Sequence, residues 1–198
     1  MIQEGCIVYK VTPISKESWV SGLAPKEMKL FFKKGKMATK MQSMGGIFQM
    51  SIKIDAEKKT IIQQIKVWND KMYCLEGEDG IEKEFSNNGY KLNETEKFRT
   101  IAGLECKSFL LENKLSKDTF SVWCTDELAV DFNEFFGFSN SKFNFPLDFR
   151  FKKFGLEFRL EAKEILNVVT SEDEFKVAKD YIKVSADSMA NYFSKIKS

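Results

Sequence analysis

Hydrophobic and polar residues alternate along most of the chain. Phe48, Met50, Ile52 and Ile54 are separated by single polar residues, and this period of two predicts strands with one buried face. Turn residues interrupt the alternating runs every eight to twelve positions or so, which predicts antiparallel neighbours. The further predicted strands are Gln3–Val11, Met28–Lys33, Lys36–Met41, Thr60–Val67, Met72–Glu76, Tyr90–Phe98, Glu105–Glu112 and Phe120–Thr125. The pattern therefore favours a mainly β fold, organised as a single antiparallel sheet.

The most specific local prediction is a hairpin formed by the alternating runs 147–151 and 156–162. A tight turn around Phe154-Gly155 joins the two runs and places Phe151 opposite Phe158 on the apolar face. A slip of one residue would turn every phenylalanine outward, so the apolar face fixes the register.

The same register makes a prediction for the polar face of this hairpin. It opposes Arg150 to Arg159 and Asp148 to Glu161. Directly opposed like charges are unfavourable, but the cost is small where the face is solvated. We expect the apolar pairing to decide the register and these charges to lie in water.

Two segments depart from the period of two. Residues 126–138 carry leucine and phenylalanine at helical spacing, which predicts a short helix or an ordered cover. Near the C-terminus, Ser185 is a suitable N-cap for a helix that runs to about Ile196. Both helices either close the core or act as lids over an apolar groove.

Composition is that of one globular domain, 1–198, with 43% hydrophobic and 30% charged residues. The unusual feature is 19 phenylalanines. Phenylalanine has no polar group, so this many rings require a large core, an apolar cavity or a buried interface.

Charge and residue types exclude several function classes. The chain contains no histidine, which removes Ser-His-Asp and Cys-His catalysis as well as zinc sites with histidine ligands. We find no phosphate-binding glycine motif and expect neither an enzyme nor a cofactor or metal. The net charge is only +2, so no nucleic-acid partner is expected. The densest basic run, residues 33–36, is interpreted as a solvated hairpin tip.

Membrane and targeting signals are also missing. No run approaches the roughly 20 apolar residues that cross a bilayer, and the first residues lack the pattern of a signal peptide. The protein is then cytoplasmic, or its signal has been removed. Oligomeric state is left open.

The chain has four cysteines, and no two of them form a C-x-x-C motif. If a hairpin is centred near Leu115, Cys106 and Cys124 face each other and a cross-strand disulfide is possible in an oxidising compartment. The alternative is two small buried thiols. Cys6 and Cys74 are expected to be unpaired.

Three segments together resemble a known family. They are Ile101–Lys107, Val122–Leu128 and Phe175–Tyr181. They are similar to recurrent motifs of the GLPGLI group of secreted bacterial proteins and related domains of unknown function.

The resemblance implies an exported protein of the periplasm or cell envelope, with a lipid anchor possible on its precursor. It also implies a curved half-barrel sheet like that of the lipoprotein-carrier (Lol-type) proteins, and no catalytic residues. The first functional hypothesis is therefore a carrier for a lipid or another apolar ligand. Its candidate lining residues are Phe48, Met50, Ile52, Phe149, Phe151 and Phe158. The alternative is a structural or protein-interaction domain of the envelope with a sealed core.

Overall fold

Twelve β-strands make up most of the computed structural model. The structure describes residues 2–14, 25–80, 90–114, 116–129, 145–153 and 156–197. The strands are β1 (Glu4–Pro13), β2 (Glu27–Lys33), β3 (Lys36–Ser43), β4 (Phe48–Asp55), β5 (Thr60–Val67), β6 (Asp70–Glu76), β7 (Tyr90–Ile101), β8 (Leu104–Asn113), β9 (Thr119–Thr125), β10 (Phe145–Lys153), β11 (Leu156–Leu166) and β12 (Ile182–Lys183). The helix α1 spans Ala186–Lys197, and short 3-10 turns lie at Met44–Gly46 and Glu172–Phe175.

All twelve strands belong to one open sheet with the order β12-β6-β5-β4-β3-β2-β1-β11-β10-β9-β8-β7. The pairs are antiparallel except for the two-residue strand β12, which runs parallel to β6. The predicted mainly β fold is confirmed, and the sheet is not closed into a barrel. Strand β1 pairs with β11 and joins two groups of sequence-adjacent strands, one on each side. This long-range pairing organises the sheet, since the other pairing of strands distant in sequence, β12 with β6, involves only two residues of each strand.

The sheet has an apolar face, here called the inner face, which the register defines. Residues Ile7, Leu30 and Phe32 lie on it and are fully buried, because directly opposed residues share a face. Ile54 of β4 and Ile61 of β5 continue this face. The opposite face of β2–β5, here called the outer face, carries the polar residues of the alternation.

The predicted β10–β11 hairpin is confirmed. Phe151 lies opposite Phe158 and Arg150 opposite Arg159, as the alternation requires. One expectation for its polar face is wrong, because Asp148 is buried instead of solvated. Two arginine side chains, from β7 and β11, cover it and pair with it.

The predicted register of the β8–β9 hairpin is also wrong, by one residue. Cys124 lies opposite Lys107, so it does not directly face Cys106. The reason is the loop: Asn113 donates its backbone N–H to the Asp118 carbonyl at 2.9 Å, which leaves four loop residues instead of an odd number. In the structure all four cysteines are buried free thiols.

The predicted position and N-cap of the C-terminal helix α1 are confirmed. The Ser185 hydroxyl accepts a hydrogen bond from the Ser188 N–H at 3.1 Å, which satisfies one of the free donors of the first turn. Met189 and Phe193 form the buried stripe, and the Met189 sulfur lies 3.9 Å from the Cys74 sulfur of β6. The helix therefore covers the inner face at the β6 edge.

The predicted helix at 126–138 lies mostly outside the described residues, which end at position 129 in this part of the chain. Within them, Leu128 forms a bridge with Ile2 and is buried. No helix among the described residues has the length and apolar character needed to cross a membrane.

Candidate functional site

The predicted apolar lining belongs to the packed core of the inner face. Met50, Ile52, Phe149 and Phe158 are each 9% exposed or less. Phe48 is half-buried against the same core, and the side chain of Phe151 lies outside the described part of the structure. These residues come from β4 and from β10 and β11, which lie apart in the sheet. They contribute to one continuous core cluster, and Met50 also borders a groove.

That groove is open to solvent and has a volume of about 880 Å³. It lies between the outer face of β2–β5 and residues 167–181, here called the C-terminal strap. The size is typical of small-molecule sites. Its lining residues are Lys26, Glu27, Lys29, Phe31, Lys40, Met41, Gln42, Ser43, Gly45, Gly46, Gln49, Met50, Ser51, Lys53, Gln64, Asp173, Ala178 and Tyr181.

Ion pairs hold the strap over the outer face. Glu172 accepts a hydrogen bond from Lys36 at 2.8 Å and lies 3.8 Å from Lys33. Glu174 pairs with Lys40 of β3, and the Lys36 ammonium lies 5.9 Å from the centre of the Phe175 ring. The predicted hairpin tip at residues 33–36 therefore exists, but two of its lysines bind the strap.

Lys53 is the buried cation of this groove. The alternation along β4 places its side chain on the polar, outer face of the sheet. The residue is nevertheless only 5% exposed, because the strap lies over it. Its ammonium donates a hydrogen bond to the carbonyl oxygen of Lys176. Burial, together with the nearby Lys40 ammonium, lowers the pKa of Lys53 from 10.5 to about 8, and Glu174 acts in the opposite direction.

Neutral polar atoms lie beside Lys53 without partners among the described residues. Ser51 of β4 and Gln64 of β5 oppose each other in the sheet. The Ser51 hydroxyl and the Gln64 side-chain oxygen are buried and make no hydrogen bond within the described structure. The same is true of the Ser43 hydroxyl. Buried polar atoms are normally paired, so this part of the groove has unused hydrogen-bonding capacity.

A second polar cluster lies on β7, β9, β10 and β11. The buried Asp148 carboxylate accepts hydrogen bonds from Arg99 and, at 2.7 and 2.9 Å, from Arg159. The Arg99 guanidinium lies 4.3 Å from the centre of the Trp123 ring. Both arginines pair with the same buried carboxylate inside the protein, so we interpret this cluster as structural.

Cys106 and Cys124 show no sign of a reactive thiol. Burial raises the pKa of Cys106 to about 11 and that of Cys124 well above its ordinary value. A thiol that stays protonated is a poor nucleophile and metal ligand. Within the described ranges, no group of three cysteine or acidic residues is placed to hold a metal ion.

The groove was not found by sequence reasoning. The alternation placed Lys53 on the polar side of β4 correctly, but nothing local shows that a segment 123 residues later lies over it. The signal that was present is the strap itself, where Glu172, Asp173 and Glu174 form an acidic run in a region without strand alternation. Such a run is suited to bind the lysines of another element.

Comparison with known proteins gives a fold and no family. No family model matches the sequence, and no curated protein matches it. Among solved structures, the chain is similar to PNGF-II in two crystal forms, with TM-scores of 0.59 and 0.57 and sequence identities of 12% and 11%. Each match covers 98% of this chain and 33% of PNGF-II. The chain thus spans about a third of the length of that protein, and the likeness shows the fold alone.

Proposed function

We propose that this chain is a non-catalytic binding domain with a sealed apolar core, which acts through its outer surface. The burial of the predicted lining residues carries the proposal, because Met50, Ile52, Phe149 and Phe158 pack into the core. A lipid carrier needs an interior that its own side chains do not fill. The open groove lies on the opposite, polar face of the sheet.

The absence of histidine supports a non-catalytic role, because it removes the commonest general base and metal ligand. The fold likeness supports a domain that serves within a longer protein, since the matched portion of PNGF-II is a third of that chain. We propose an interaction or structural role of this kind for the present domain.

We also propose export to the periplasm or cell envelope, which rests on the resemblance to the GLPGLI group. Fractionation of cells that express the full-length gene product with a C-terminal tag tests this. Recovery in the periplasmic or envelope fraction is expected, and recovery with cytoplasmic markers would contradict it.

A search for bound lipid tests the sealed core. Native mass spectrometry of the freshly purified protein, before and after solvent extraction, is expected to give one mass, that of the polypeptide. Titration with a fluorescent fatty acid is expected to show no saturable binding.

The carrier hypothesis makes the opposite prediction for both measurements. A stoichiometric adduct of lipid mass that extraction removes would overturn the sealed core. Such an adduct should also weaken in an Ile52→Glu variant and persist in the matched Ile52→Val variant, since only the first places a charge on the inner face.

A further inference from the structure

We propose that the groove under the C-terminal strap binds a small organic anion bearing hydroxyl groups, whose anionic oxygens accept hydrogen bonds from Lys53. This site deepens the proposed function, and it depends on that function only because both take the outer face as the binding side. It assigns a ligand class and a central residue to that face.

The first argument is that Lys53 is a buried cation with incomplete compensation. An ammonium has three donors, and the hydrogen bond formed in the described structure uses one of them, to the neutral carbonyl of Lys176. Buried charges in proteins are normally paired with an opposite charge. The carboxylate that acts on Lys53, Glu174, is already paired with Lys40. An anion in the groove would supply the missing partner.

The second argument is the charge of the groove as a whole. The charged groups that act on Lys53 are Lys40 of β3 and Glu174 of the strap. The groove is also lined by Lys29, Asp173 and the oppositely charged neighbours Lys26 and Glu27. Lys40 and Glu174 neutralise each other, and Asp173 is engaged by Lys176 at 2.8 Å. The positive charges of Lys53 and of the exposed Lys29 are therefore left to attract an anion.

The third argument is the neutral lining beside the cation. The buried Ser51 hydroxyl and Gln64 oxygen lack partners among the described residues, and Gln64 is only 3% exposed. A hydroxyl can rotate to face a ligand, and a hydroxyl-bearing ligand both donates and accepts hydrogen bonds. The volume of about 880 Å³ accommodates more than a single inorganic ion. Anion and hydroxyl groups on one small molecule would use both parts of the site.

Lys53 has one other role open to it, which is to hold the strap through the Lys176 carbonyl alone. In that case the groove would have no preference for anions. The two roles make different predictions for ligand charge and for pH.

The experiment compares gluconate with sorbitol, two open-chain polyols of similar size of which only the first carries a carboxylate. Isothermal titration calorimetry of the purified chain at pH 7 is expected to detect gluconate and not sorbitol. Inorganic phosphate is expected to compete with gluconate. Equal binding of both polyols, or absence of gluconate binding, would overturn the proposal.

Lysine variants assign the site. Lys53→Met is expected to weaken gluconate binding by about tenfold or more, since a hydrogen bond to a charged group is lost. Lys117→Met is the matched control, because Lys117 lies on the distant β8–β9 loop and is exposed; it is expected to bind like the parent. Equal weakening in both variants, or in neither, contradicts a site at Lys53.

The pH profile of the parent protein gives a readout that does not depend on any variant. The anion binds the protonated amine, and the pKa of Lys53 is lowered to about 8. Affinity for gluconate should therefore fall by about tenfold between pH 7 and pH 9, since the protonated fraction falls by that factor. An ordinary lysine would hold the affinity constant over this range, and a flat profile would contradict the assignment.

Failure here and failure of the proposed function are distinguishable. Absence of gluconate binding, with no lipid adduct, removes the anion site but leaves a sealed interaction domain. A lipid adduct removes the sealed core whatever gluconate does.

Discussion

Asp148 is the residue whose environment differs most from its sequence pattern. It lies on the polar side of β10, yet its carboxylate is buried between guanidinium groups of Arg99 and Arg159. The Arg99 side chain lies over the Trp123 ring and reaches Asp148. This ion pair therefore links β7 to β10, although β8 and β9 lie between them in the sheet. The hydrogen bonds that Arg159 donates to Asp148 in turn raise the pKa of Arg159.

Replacement of Asp148 by Asn should destabilise the fold. The amide keeps the shape but loses the charge-assisted hydrogen bonds to two arginines, and we expect a loss of about 1–3 kcal/mol in the free energy of unfolding. Urea denaturation followed by circular dichroism measures this. Glu161→Gln is the matched control: Glu161 lies 4.0 Å from Arg99 and is exposed, so its loss should cost less than about 0.5 kcal/mol. Equal costs would show that the Asp148 pairs contribute no more than a surface pair.

Alternation along a strand predicts which side a residue faces, and it did so correctly for Asp148 and Lys53. It does not predict what covers that side. Arg99 comes from 49 residues away and the strap from 123 residues away, so burial of both polar residues depends on contacts that no local pattern encodes.

At the scale of elements, hairpin registers were predictable where an apolar face decided them. The β10–β11 register follows from its phenylalanines. The β8–β9 register could not be read in the same way, because its loop geometry decides between adjacent registers. The Asn113 side chain accepts a hydrogen bond from the Ser116 N–H at 3.0 Å, and Lys117 adopts a left-handed conformation with φ of 62°.

This loop geometry predicts that Lys117→Gly stabilises the protein. A left-handed conformation costs a residue with a Cβ about 1 kcal/mol, and glycine avoids this cost. Part of the gain is offset by the greater freedom of glycine in the unfolded chain, so we expect a net gain of about 0.5 kcal/mol. Lys114→Gly in the same loop is the control and should destabilise, since Lys114 has no positive φ. A loss of stability in Lys117→Gly would contradict the assigned loop.

Helix α1 makes a prediction of its own through Met189. This side chain is buried against Cys74 of β6, and truncation to alanine should cost about 2–4 kcal/mol because it leaves a cavity. Ala190→Ser, on the exposed side of the helix, should change stability little. If α1 is the cover of this edge, Met189→Ala also makes the Cys74 thiol react faster with a thiol reagent in the native state. An unchanged rate together with unchanged stability would show that the helix does not protect β6.

At the scale of the whole molecule, the strands and the mainly β class were predictable because the period of two is a local property of the chain. The sheet order was not, because it depends on the pairing of β1 with β11, more than 140 residues apart. The groove depends on the same pairing, since the strap follows β11 in sequence and β11 lies beside β1 in the sheet. The organisation of the whole chain as one domain stays a prediction.

The cysteines provide a test of that organisation, because they are distributed along the sheet. Cys6 lies on β1, Cys74 on β6, and Cys106 and Cys124 on β8 and β9, and all four are buried thiols. If the sheet unfolds as one cooperative unit, pulsed thiol labelling across a urea series should modify all four at the same midpoint, with no labelling in native buffer. Mass spectrometry of the digested protein assigns each label. A lower midpoint for Cys74 than for Cys124 would instead divide the sheet at β1 into two units. All strand pairs are adjacent in sequence except β1 with β11 and β6 with β12.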